Sequence, residues 1–110
     1  MKNGVHPGEP VELDHLVDYS ESAIVSRIIM KSKAGSVTLF AFDSGQELSE
    51  HTSPFDALVQ VVSGSGDFTV GADHHTVTFG EMILLPAHVP HAVAARERFK
   101  MLLTMIKMNG

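Results

Sequence analysis

Between residues 35 and 90 the chain never runs more than nine residues without a glycine or proline. Gly35, Gly45, Pro54, Gly64, Gly66, Gly71, Gly80, Pro86 and Pro90 separate short apolar or β-branched runs. Glycine and proline punctuate local structure, and many short runs spaced by turn residues predict an all-β sandwich or barrel. Strands are expected at about 23–31, 36–43, 57–63, 67–70, 75–78, 82–85, 91–94 and 100–107. No window sustains a helical period, although Leu13-Asp14-His15-Leu16-Val17 fits either a short helical turn or an edge strand. The run Val70-Gly71-Ala72-Asp73 predicts a tight hairpin with Gly71 at positive φ. A chain of 110 residues holds one core. We expect an N-terminal arm over residues 1–20 and a barrel over residues 21–110.

Charge and composition narrow the function classes. A formal charge of −5 argues against nucleic acid or an anionic membrane as partner. The one basic cluster, Arg96, Arg98 and Lys100, is interrupted by Glu97 and Phe99 and reads as a solvated turn. With no cysteine there is neither a thiolate nucleophile nor a sulfur-rich metal site. The N-terminus lacks an apolar signal region, so the cytoplasm is the expected location. Seven histidines beside a single tyrosine make imidazole the group to follow.

Two stretches carry the histidines of interest. In residues 45–64 the pattern is Gly45-x5-His51-x-Ser53-x3-Ala57-x6-Gly64. In residues 80–95 it is Gly80-x5-Pro86-x-His88-x2-His91-x3-Ala95. These spacings resemble the two cupin motifs, G-x5-H-x-H-x3-E-x6-G and G-x5-P-x-G-x2-H-x3-N. The short gap between them resembles the small single-domain cupins of the RmlC-like superfamily. The resemblance implies a double-stranded β-helix, a jelly-roll barrel whose mouth holds a metal or a small molecule. It also implies a metal site of three histidines and one glutamate. Here His51 and His91 keep two of those four positions, while Ser53 and Ala57 occupy the others; His88 stands for the usual glycine and Ala95 for the usual asparagine.

Side-chain alternation reads the same way. Gln60 is the polar residue of Ala57-Leu58-Val59-Gln60-Val61-Val62, so Ala57, Val59 and Val61 should face the interior and Asp56 the opposite side. A bulge at Ser53-Pro54-Phe55 would instead turn Asp56 toward His51. Two imidazoles and a carboxylate would suit a divalent ion such as iron, zinc, manganese or nickel. The expected site is therefore His51 and His91 as metal ligands, with Ser53, Asp56, Ala57 and His88 lining a small-molecule pocket.

Four functions compete: a ligand-binding cupin, with or without a loosely held divalent metal; a metal-dependent dioxygenase, isomerase or decarboxylase; a metal-free catalyst using His51 with Asp56; and a structural dimerising module. The sequence leaves open whether the chain is an enzyme and what small molecule it binds. Outward-facing Leu58 and Val62, Ile28 or Ile29 and the apolar C-terminal run predict a homodimer.

Overall fold

The computed structural model describes residues 5–107 and shows an almost entirely β architecture, preceded by one 3-10 turn at Leu13–Leu16. The strands are β1 (Ile24–Ser32), β2 (Gly35–Phe42), β3 (Glu47–His51), β4 (Phe55–Ser63), β5 (Ser65–Val70), β6 (Asp73–Thr78), β7 (Met82–Leu85), β8 (His91–Ala94) and β9 (Phe99–Lys107). They form two antiparallel sheets, β1-β2-β9-β4-β7 and β3-β8-β5-β6, stacked as a double-stranded β-helix. The hairpin joining β5 to β6 turns on Gly71 and Ala72, with Gly71 at φ 61°.

Strand β4 buries Ala57, Val59 and Val61 and exposes Asp56 and Gln60, which is the alternation read from the sequence. These residues pack with Phe42, Phe68, Phe99 and Met101 to fill one end of the barrel. The Phe99 ring stacks on Phe42 at 4.7 Å and meets Phe68 edge-on at 6.2 Å. Such pairs add to the stabilisation from buried area, which is itself large for aromatic rings. Backbone closes tightly around this end. Gly64 has φ 77°, and a Cβ there would lie 2.6 Å from the Arg98 carbonyl oxygen. A Cβ on Gly66 would lie 2.5 Å from the Phe99 ring.

The outer face of the five-stranded sheet is covered unevenly. Leu16 and Val17 fold over Leu39 and Ala41, and Ile29, Val62 and Leu102 pack against that second cluster. This covering explains why β9 is apolar on both parities: Met101 and Leu103 pack inward while Leu102 lies beneath the N-terminal segment. Two expectations change here. Ile29 and Val62 are shielded by the chain's own N-terminal segment; the apolar residues left exposed on the sheet include Met30, Met82, Leu84 and Ile106. Lys100 is also no part of a solvated turn. It is buried at the start of β9, where its ammonium bonds the Asp14 carboxylate at 3.0 Å and sits 5.0 Å from the Tyr19 ring centre. Arg96 and Arg98 are each paired, with Asp67 and Asp43.

Candidate functional site

The short edge strand β3 carries the first histidine. Leu48 of β3 pairs with Val93 of β8, and His51 pairs with His91, so Ser49 and Glu50 together oppose Ala92 alone. This is a β-bulge, which adds a residue and re-aims the side chains beyond it. Without it, Leu48 and His51 would fall on opposite faces, since an odd separation inverts direction along a strand. With it, Leu48 packs on the core and His51 still meets His91.

The two rings lie edge to face, with centroids 4.4 Å apart and planes inclined at 70°. Their environments differ. His91 is buried at 7% exposure, whereas His51 remains exposed at the rim. His51 Nδ1 lies 2.8 Å from the Ser49 carbonyl oxygen, and His91 Nδ1 lies 3.2 Å from that of Val89. A carbonyl oxygen can only accept, so each Nδ1 carries a proton, and in the neutral ring Nε2 then keeps its lone pair. This is the tautomer in which imidazole serves as a metal ligand or a hydrogen-bond acceptor, and the backbone bond fixes it. Desolvation holds the His91 pKa below its ordinary value of 6.5, and the neighbouring His51 adds to the lowering. The neutral form is thus favoured at His91, the form that coordination requires.

The other expected lining residues are placed as follows. Ser53 lies in the loop between β3 and β4, where its Oγ accepts a bond from Phe55 N at 3.1 Å and its carbonyl oxygen one from His88 N at 2.8 Å. Ala57 is buried on the inner face of β4. Asp56 points away from that face, and its Oδ1 accepts a 2.9 Å bond from Ala87 N. The bulge lies at Ser49–Glu50 and not at Ser53–Phe55. Among the described residues no hydrogen bond or ion pair joins Asp56 to His51. Together the Asp56 and Ser53 bonds tie the 52–56 segment to the 86–88 loop beside the histidine pair.

His88 is exposed and adopts φ 67°. That conformation explains why glycine suits this position of the motif: the left-handed region is strained for residues bearing a Cβ. Among the described residues no three His, Cys, Asp or Glu side chains come together, so neither His88 nor Asp56 completes a metal centre around the pair. The donor set fits half of a four-ligand site. Sequence reasoning found the two histidines from their spacing. It missed the bulge that makes them meet, because Glu47–His51 has one apolar residue and little strand character.

No helix among the described residues is long and apolar enough to cross a membrane. The comparisons agree with the architecture. Residues 38–107 match the Cupin domain family. A conserved protein of unknown function from Streptococcus pyogenes is 32% identical, with 98% of this chain and 95% of that one covered at a TM-score of 0.90. A cupin superfamily protein from Desulfitobacterium hafniense is 27% identical over 97% of both chains, at a TM-score of 0.89. A cupin 2 conserved barrel domain protein from Leptotrichia buccalis is 40% identical over 86% of this chain, which spans only 46% of that one; the TM-score is 0.82. No curated protein matches the chain at a significant level. Motif spacing, barrel topology and the match over residues 38–107 agree, and the chain belongs to the cupin family.

Proposed function

We propose that this cupin binds a small molecule at the His51–His91 pair, and that the two Nε2 atoms can also hold a divalent ion weakly. One observation carries the reading: both rings are fixed by backbone carbonyls in the tautomer that frees Nε2, at a centroid separation of 4.4 Å. Catalytic zinc sites ordinarily use about three protein ligands, so a two-imidazole site leaves most coordination to water or ligand and binds weakly. That donor set favours binding over demanding metal-centred catalysis. The metal-free dyad of His51 with Asp56 loses support, because the Asp56 carboxylate is engaged by Ala87 N.

Protein purified without a chelating tag should take up zinc, iron, manganese or nickel at no more than one ion per chain, and His51→Ala or His91→Ala should each abolish that uptake. Elemental analysis after dialysis reads the outcome. No uptake of any of the four metals by the native chain would remove the metal from the reading.

We further propose a two-fold homodimer formed through the outer face of the five-stranded sheet, in the cytoplasm. Met30 pairs with Val37, Val37 with Thr104, Thr104 with Leu58 and Leu58 with Leu84, a continuous cross-strand row with one hydroxyl in it. Met30 and Leu84, at its two ends, are 65% and 62% exposed. Sedimentation at micromolar concentration should give twice the chain mass, and Met30→Lys with Leu84→Lys should restore the single-chain mass. A native single-chain mass would refute the dimer.

A further inference from the structure

The described cations divide into two groups. Arg96, Arg98 and Lys100 are paired with carboxylates, and Arg27 donates to the Leu16 carbonyl oxygen. The ammonium groups of Lys31, Lys33 and Lys107 have no ion-pair or hydrogen-bond partner among the described residues, and all three line one groove of about 410 Å³. Lys31 lies near the end of β1, Lys33 in the turn from β1 to β2, and Lys107 at the end of β9. In a chain of net charge −5, three unpaired cations around a single concavity run against the overall charge.

The groove walls are mostly apolar. Ile28, Phe55 and Met105 supply carbon surface, and Ser36 and Thr38 supply hydroxyls. Ile28 is 60% exposed, so this surface is open to a ligand. The ladder shows that no carboxylate opposes the lysines within the floor. Leu85 pairs with Ala57, Ala57 with Met105, Met105 with Ser36 and Ser36 with Lys31, one row across five strands without an acidic residue. The volume falls in the range of small-molecule sites, roughly 300–1,000 Å³, which combine apolar walls with a few polar groups. His51 and His91 do not line it.

We propose that this groove binds an amphipathic monocarboxylate, with its apolar body against Ile28, Phe55 and Met105 and its carboxylate among Lys31, Lys33 and Lys107. Burial of the body supplies affinity, and the lysines supply charge-assisted hydrogen bonds that select an anionic head. The site is independent of the histidine pair, and its success or failure leaves the metal reading untouched.

Calorimetric titration of the full chain with hexanoate, octanoate and decanoate tests the proposal, with decanol and inorganic phosphate as single-feature controls. Each added methylene should tighten binding by about three- to fourfold. Decanoate should bind roughly tenfold more tightly than decanol, and phosphate alone should not saturate. The triple variant Lys31→Gln, Lys33→Gln, Lys107→Gln should retain the native thermal midpoint and lose the preference for decanoate over decanol. His91→Ala should leave decanoate affinity within about twofold. Amide resonances of Ser36, Thr38 and Met105 should shift on titration. Equal affinity for decanoate and decanol, a preference that survives loss of the three lysines, or shifts confined to the His51 and His91 rings would each overturn the assignment.

Discussion

The two ends of the barrel are built to different rules. At one end Phe42, Phe68 and Phe99 interlock over Gly64 and Gly66, where the backbone approaches too closely to admit a Cβ. At the other end His51 and His91 meet across β3 and β8, with His51 exposed at the rim. A packed end can be stabilising only if nothing is left unfilled, since interiors are close-packed and sensitive to single methylenes. A mouth works under the opposite demand: its groups must remain short of partners so that a ligand can supply them. The contrast teaches that stability and binding are segregated along the barrel axis, and each substitution should report on one and spare the other.

The largest effect should come from the packed end. Phe99→Ala removes a fully buried ring that touches both other aromatics and should cost about 3–5 kcal/mol in denaturant unfolding. A loss confined to the range of surface substitutions would mean that this end is not the principal core.

Gly64→Ala comes next. It places a Cβ against the Arg98 carbonyl oxygen and holds a non-glycine residue at φ 77°, for a cost of about 1–3 kcal/mol. Ordinary van der Waals tolerance there, seen as an unchanged thermal midpoint, would contradict the close approach.

At the mouth the stability effects shrink and the binding effects grow. Asp56→Ala breaks the bond to Ala87 N and should cost about 0.5–1.5 kcal/mol. Zinc uptake should be unchanged, because the Asp56 carboxylate serves the loop. A loss of tenfold or more in zinc affinity, to use the rough scale of an outer-shell ligand partner, would show that it reaches the ion after all.

The smallest effect is the pH dependence of His91. Its folded pKa lies below the ordinary 6.5, so the unfolded chain takes up a proton first as the solution is acidified. The stability contributed by neutral His91 is complete above pH 6.5 and is lost as pH falls through the lowered folded value. His91→Gln should flatten this part of the stability profile relative to the native chain. Parallel profiles for the two proteins would mean that His91 is not desolvated.

Much of this contrast was readable in the sequence, and the remainder was hidden for identifiable reasons. The alternation in Ala57–Val61, the Gly71 hairpin and the spacing of His51 and His91 are local, and local patterns survive without knowledge of the fold. Strand β3 escaped detection because an edge strand pairs on one side only and needs a single inward residue, here Leu48. The bulge at Ser49–Glu50 has no glycine to mark it. Lys100 looked solvated because its partners, Asp14 and Tyr19, lie at the other end of the chain. The lysine-rimmed groove is a product of topology: a hairpin between β1 and β2 and the end of β9 meet only after β2 and β9 pair.

The central claim is that His51 and His91 form one site with both Nε2 atoms unprotonated. Long-range nitrogen–proton correlation spectra of the imidazole rings, recorded at pH 7.5 during a zinc titration, test it directly. The account predicts that both rings show Nδ1–H tautomers before zinc is added, and that both Nε2 resonances move together as one ion binds per chain. An Nε2–H tautomer at either ring, or a response from only one of them, would contradict it.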